Sequence, residues 1–457
     1  MRVVRPGVRE REFARTVVEK ALEVSREALR LAGYEGFLLR VEGSYAKDTW
    51  LSGELEVDIF ALFPREACGG VLEGFAGRVA PVLEGMGFRV ELRYAQHPYA
   101  RFYVDGVPVE LVPGCRVSSA AEALTPVDRT PFHTEAVRRL LSPWQRDEVR
   151  LLKSFMKGVE VYGAEEAVRG FSGYLAELLV AGYGCFRGVL EAAASRWRRL
   201  PIRVRLPGVS VDWRLLERRY PDSVMYVPDP VDPARNAAAA VSRRSAALLA
   251  LAAALYLGRG GAAVFFHRTR PPPPRLPPGE MGGRLALLYM VHVELDGVEP
   301  PETLWGVARR LGRVLAGFLE DVGVLVHRWE PVAPLEPGGW LAVVFEAEPG
   351  GAYRVREGPP GFEASRATRF VARHRWAPGG PWVGEDGLLY SLEHSVDVVD
   401  ALRRGVETGA PGLVRRRARR VEVLRGLDVL QRLEERGVGR LWMVRLVRGR
   451  PYWLELL

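Results

Sequence analysis

The sequence predicts a multidomain α+β protein, and three patterns carry that expectation. An amphipathic segment leads through a short strand and a Gly-Ser turn into an acidic strand. Residues 135–198 are mainly helical in pattern. Beyond a proline-rich stretch the order is strand, helix, strand, strand. At 457 residues the chain is long enough for about three domains. The expected segments are 1–137, 138–268 and 269–457.

The elements follow from periodicity. Residues 8–33 place apolar side chains at helical spacing, and Phe37–Val41 reads as a strand. Leu55–Phe63 (LEVDIFALF) reads as the next strand. Side chains alternate along a strand, so Glu56 and Asp58 share one face and Val57 and Ile59 the other. Val107–Pro113 is a further short strand with Glu110 as its single acid, Asp105 lying in the turn before it. Residues 135–158 and 164–198 read as helices. Strands follow near 201–206 and 224–227, then a long alanine-rich helix over about 233–257. Asp232 suits its N-cap and Pro233 its N1 position, which puts Arg235 in an exposed first turn. Arg270–Gly279 is stiff and extended and marks a domain boundary. After it come strand 285–295, helix 301–320 and strands 323–329 and 339–347, a ferredoxin-like β-α-β pattern. A helix near 361–374 and a closing strand pair near 420–424 and 441–455 complete the chain.

Composition sets bounds. A hydrophobic content of 48% is that of a soluble globular protein. No apolar run reaches the ~20 residues of a membrane span; Ala246–Leu257 is shorter and reads as a buried helix. MRVVRPGVRE has no apolar core after its charges, so no signal peptide is expected. Cys68, Cys115 and Cys185 have no metal-site spacing and make an odd number, which points to reduced thiols and a cytoplasmic location. Net charge is +9, and residues 401–457 hold 14 Arg against 6 acids, densest at Arg415-Arg416-Arg417-Ala418-Arg419-Arg420. Such a patch reads as a nucleic-acid footprint. Only four lysines (Lys20, Lys47, Lys153, Lys157) and one asparagine, Asn236, occur in this arginine-biased chain.

The chemistry concentrates in Gly43-Ser44-Tyr45-Ala46-Lys47-Asp48, followed by Glu56-Val57-Asp58. An isolated E-x-D pair is more often the solvated face of an edge strand. A Gly-Ser turn upstream and a third acid, Glu110, downstream turn the reading toward a site for divalent metal and a nucleoside triphosphate, because hard carboxylate oxygens converging from neighbouring strands suit Mg2+.

GSYAKDTWLSGELEVDIFALFP resembles the signature of the DNA polymerase beta nucleotidyltransferase superfamily. More narrowly it is similar to archaeal CCA-adding enzymes, the class I tRNA nucleotidyltransferases. Val127-Asp128-Arg129-Thr130-Pro131-Phe132-His133, the stretch from Glu148 through Lys153 and Tyr162 to Val168–Leu175, and Asp229–Asn236 extend the likeness. Gly358–Phe362 and Pro381–Gly387 carry it more loosely. The resemblance implies a polymerase-beta-like catalytic head, a mainly helical neck and central domain, and a ferredoxin-like C-terminal region that binds the tRNA acceptor and T-arm. It implies untemplated addition of C, C and A to tRNA from CTP and ATP, with two Mg2+ ions and pyrophosphate as the product. Glu56, Asp58 and Glu110 are then the catalytic metal ligands. Gly43, Ser44, Lys47, Thr130, His133, Lys153 and Tyr162 contact the nucleotide, and Arg235 reads its base. The family pattern has Asp where this chain has Glu110, and often Arg where it has Lys47. A poly(A)- or poly(U)-type polymerase, or a catalytically inactive RNA-binding scaffold, is the alternative, and a homodimer is left open.

Overall fold

The acidic strand lies inside a five-stranded sheet in the computed structural model, which describes residues 3–94, 97–259, 262–269, 271–274, 282–349, 353–394 and 396–456. The first unit runs through Pro271 and the second is Pro272–Glu455. Helix α1 (Val8–Leu31) precedes β1 (Leu38–Glu42), the one-turn helix α2 (Gly43–Ala46) and β2 (Val57–Phe63). Then come α3 (Arg65–Gly85), β3 (Val90–Tyr94), β4 (Pro98–Val104) and β5 (Val107–Cys115). The sheet order is β1-β2-β5-β4-β3, with β2 and β5 parallel and the other neighbours antiparallel. Val17, Ala21 and Leu29 of α1 and Phe75, Val79 and Leu83 of α3 bury one face against Val57, Ile59, Val109 and Leu111. The alternation predicted for Glu56–Ile59 is what leaves the acids on the opposite face.

The helical part of the same unit comprises α4 (Thr130–Leu140), α5 (Pro143–Gly158), α6 (Gly173–Tyr183) and α7 (Phe186–Ser195). The expected helix 135–158 is thus two, divided where Leu141 turns extended and Ser142 with Gln145 caps α5. β6 (Ile202–Arg203) and β7 (Met225–Tyr226) pair in parallel around α8 (Trp213–Arg219). The alanine-rich helix α9 starts at Arg243, not 233, and Ser242 is its N-cap. Asp232 and Pro233 therefore do not open a helix, and Arg235 does not sit in one. Asn236 is the reason. Its buried amide accepts from the N–H groups of Val227 and Ala238 and donates to the Met225 carbonyl, while the Asp229 N–H donates to the Arg235 carbonyl. These bonds spend residues 227–238 on a tight loop against β7.

In the second unit, a short helical turn α10 (Gly282–Leu285) precedes β8 (Leu288–Glu299), α11 (Pro301–Asp321), β9 (Val324–Val332) and β10 (Gly338–Pro349). An excursion follows: β11 (Tyr353–Pro360), α12 (Ala364–His374), β12 (Gly379–Val383) and β13 (Leu388–His394), forming a separate antiparallel sheet of order β11-β13-β12. The chain returns through α13 (Val398–Gly409), α14 (Gly412–Arg417) and β14 (Ala418–Arg425). The main sheet order, β14-β8-β10-β9, is the ferredoxin-like arrangement, with the small sheet inserted before its second helix. Of the expected closing strand pair only β14 is a strand. Residues 441–455 are helical, in α15's successors: α15 (Leu427–Glu435) is followed by α16 (Arg440–Arg448) and α17 (Tyr452–Glu455). Val444 and Val447 bury at helical spacing, and Val447 packs with Leu430 and Leu433. Most of the proline-rich boundary, including Arg270 and residues 275–279, lies outside the described residues.

The thiols also depart from expectation. Cys68 on α3 and Cys115 at the end of β5 form a disulfide, and Cys185 is free. Packing of α3 on the sheet brings together residues 47 apart in sequence, which spacing alone does not reveal. Disulfides inside cells are a documented exception in hyperthermophiles. Closing a loop of that length restricts the unfolded chain by about 4 kcal/mol. Urea unfolding with reductant, or of Cys68→Ser, is expected to show a loss of about 2–4 kcal/mol.

Candidate active site

β2 and β5 run side by side in a register that sets Asp58 opposite Glu110. Glu56 lies just before β2, on the Asp58 side. Three carboxylates this close disfavour ionisation. Burial, then the charges of Glu110 and Glu56, push Asp58 up to about 7, and burial and Glu110 raise Glu56. Gly43 lies against this group with φ of +66°, and a Cβ there would overlap the Asp58 carboxylate, so the backbone approaches the acid as only glycine allows. Ser44 follows in α2, partly exposed.

Among the described residues, no three acidic, His or Cys side chains stand in metal-coordinating geometry. Arg101 on β4 bridges two of the acids. Its Nη2 donates to Glu56 Oε1 at 2.6 Å and also to Glu110, while Tyr99 Oη donates to Glu110 at 3.1 Å. The donor set nonetheless fits a divalent cation. It is all hard oxygen, comes from two adjacent strands, and carries an excess of negative charge that a guanidinium now partly offsets.

The predicted cations gather around two buried carboxylates. Lys47 Nζ is 2.7 Å from Glu177 Oε2 on α6, and Thr49 Oγ1 donates to Glu177 Oε1 at 2.5 Å. Lys153, on α5, reaches Thr49 Oγ1 at 3.1 Å and Glu177 Oε1 at 3.3 Å. Burial pulls Lys153 down to about 8 against the opposing pull of Glu177. Burial would raise Glu177, but Lys47 and Lys153 hold it below the usual range. Tyr162 and Lys153 converge above Gly173, where a Cβ would lie 2.8 Å from Tyr162 Oη and 3.5 Å from Lys153 Nζ.

The second hub is Asp229. It receives Tyr174 Oη at 2.9 Å and Arg235 Nη1 at 3.1 Å, and His133 Nε2 stands 2.9 Å from it. Burial works to raise Asp229, yet these bonds, His133 first, keep it low. The His133 ring packs on Tyr174 at 4.7 Å, and Lys47 Nζ lies 5.5 Å from the same Tyr174 ring, so one tyrosine joins the two hubs. Thr130 opens α4 one turn before His133 and is partly exposed. Arg150, itself buried, clamps the intervening loop by donating to the carbonyls of Asp48 and Trp50 at 2.7 and 2.8 Å.

Sequence reading missed Arg101, Thr49, Tyr174, Glu177 and Asp229 as members of this assembly. Glu177 carried a findable signal: it is a lone acid in the otherwise apolar Gly173–Tyr183, and a buried charge requires a partner. Arg101 had none, because its meeting with Glu110 depends on the β4–β5 register.

A glycine turn packed on the central acid of two adjacent acidic strands defines the catalytic domain of a nucleotidyltransferase. A family model described as tRNA nucleotidyltransferase, second domain, matches residues 147–266. The chain is 34% identical to the CCA-adding enzyme of Saccharolobus shibatae over 380 residues, 82% of this chain and 84% of that enzyme. It is 33% identical to the CCA-adding enzyme of Sulfolobus acidocaldarius over 401 residues, 86% of each. It belongs to the CCA-adding enzymes, and CCA addition to tRNA is its activity. Among solved structures, a cytoplasmic RNA terminal U-transferase aligns with a TM-score of 0.44 at 13% identity over 59% of this chain and 96% of that one. No helix among the described residues is long and apolar enough to cross a membrane.

Lys153 gives this site a pH signature. Its charge is present below about 8 and is lost as pH rises past that value. On the proposal below that Lys153 meets the triphosphate, affinity for a nucleoside triphosphate is expected to fall between pH 7 and 9 in a binding titration, and Lys153→Met is expected to flatten that dependence.

Proposed function

We propose that Glu56, Asp58 and Glu110 hold two Mg2+ ions for nucleotidyl transfer from CTP and ATP to the tRNA 3′ end. The observation that carries this is the convergence of Asp58 on β2, Glu110 on β5 and Glu56 just before β2 beside the Gly43 turn. Bound ions supply the positive charge that activates the 3′-hydroxyl and neutralises the leaving pyrophosphate. The chain's own part is positioning. Ser44 and the turn backbone meet the triphosphate. Lys153, Tyr162, Thr130 and His133 line its path, and Lys47 supplies fixed positive charge through the Glu177 hub.

Arg235 selects the base. A guanidinium only donates hydrogen bonds. Cytosine and adenine offer ring-nitrogen acceptors on their Watson–Crick edges, whereas uracil and guanine present N–H donors there. A wrong base leaves donors facing donors, at about 1–3 kcal/mol. Asp229 supports the role by fixing one Arg235 nitrogen, leaving a side chain that is 37% exposed free to face a ligand.

The tRNA is read by shape through phosphates and hydroxyls. In the second unit, Arg417, Arg419 and Arg420 pair with Glu299, Glu294 and Glu422, so the dense arginine run is partly neutralised within its own unit. The segments flanking α12 offer a second surface: Phe362 and Trp376 are 94% and 83% exposed, and the Arg375 guanidinium lies 5.2 Å from the Trp376 ring, a combination suited to stacking on unpaired bases.

The test is extension of a tRNA transcript ending before CCA, with each labelled NTP. Growth by two CMP and one AMP, then a stop, is expected, and Arg235→Ala is expected to lose about tenfold in CTP over UTP selectivity with a smaller loss of rate. Long homopolymer tails, or no incorporation despite retained tRNA binding, would overturn the assignment. Affinity for tRNA is expected to fall steeply with salt, and Trp376→Ala to weaken binding without altering nucleotide choice.

A further inference from the structure

We infer that Arg101 is a positioning residue that holds Glu56 and Glu110 together and competes with divalent ions for their carboxylates. The inference rests on the assignment of Glu56, Asp58 and Glu110 as ion ligands. Arg101 lies directly across the antiparallel β4–β5 pair from Glu110. Its Nε donates to Glu110 Oε1 at 3.2 Å, its Nη2 donates to the same oxygen, and that Nη2 also reaches Glu56 Oε1 at 2.6 Å. One guanidinium thus bridges the acid on β5 and the acid just before β2.

This arrangement solves a problem that the site would otherwise have. Three acids facing one another repel, and the Arg101 guanidinium offsets that repulsion between Glu56 and Glu110. Arginine does not deprotonate in a protein, so its charge is permanent and leaves only if the side chain swings away. At 22% exposure the Arg101 side chain is not sealed in. The same pairing gives Glu110 a purpose. Where the family pattern implies Asp, the extra methylene carries the carboxylate about 1 Å further. That reach places one oxygen against Arg101 and Tyr99 together.

Two effects follow in opposite directions. A fixed cation beside the ligands opposes ion binding, and it stabilises the ion-free fold. The experiment uses the full chain and Mn2+, read by the electron paramagnetic resonance signal of the free ion, with thermal melting in EDTA and in saturating Mn2+. Arg101→Ala and Arg101→Gln are expected to bind Mn2+ about tenfold more tightly than the parent. Their melting temperatures are expected to drop in EDTA and recover with Mn2+, while Arg101→Lys, which keeps the charge, stays near the parent in both. Gln shares hydrogen-bonding capacity but not charge, so unchanged or weaker Mn2+ binding in both Ala and Gln variants overturns the inference. Asp58→Asn and Glu110→Gln separate the underlying assignment: if neither lowers Mn2+ affinity, the ligand set is wrong and the role of Arg101 falls with it.

Discussion

The crowding of three carboxylates at β2 and β5, with Glu56 just before β2, is the constraint around which the first unit is arranged. The parallel register that sets Asp58 opposite Glu110 is enforced by burial of Val57, Ile59, Val109 and Leu111 on the other face. A slip of one residue would turn the acids into the apolar core. The core thus fixes where the negative charge must lie, and the neighbouring elements answer with positive charge and close backbone. Arg101 comes from β4, and Gly43 brings the chain against Asp58 without a side chain.

A second tier of buried anions organises the cations. Glu177 gathers Lys47, Lys153 and Thr49, and Asp229 gathers His133, Tyr174 and Arg235. Breaking a buried ion pair strands an uncompensated charge, so each hub ties together segments far apart in sequence. Together with the Arg150 clamp on residues 48–50, these contacts explain why the expected head and neck, divided at residue 137, share one compact unit. Phosphoryl transfer asks mainly for placement of charge. A site built from interlocked buried pairs meets that demand through rigidity.

The second unit follows a different logic. Its ferredoxin-like sheet has an apolar core cluster to which no described residue of the inserted sheet or α12 belongs, and the exposed Phe362 and Trp376 flank α12. The helical end of the chain was misread as strand because LWMVRLVR contains nearly continuous apolar residues, and such short runs serve either state until packing selects one. The loop around Arg235 was misread as helix for a related reason. Alanine-rich sequence favours helix, but the Asn236 amide commits the local backbone to β7 first.

By itself the sequence determined the acidic strands, the alternation that separates acids from core, the Gly-Ser turn, the strand-helix-strand-strand order that opens the second unit and the family to which the chain belongs. These rest on local patterning and on motifs whose spacing is written along the chain. Tertiary structure alone decided the Cys68–Cys115 bond, the Arg101 bridge and the Glu177 and Asp229 hubs. Each joins residues through strand register or helix packing, and a buried charge finds its partner in space, where sequence distance carries no information.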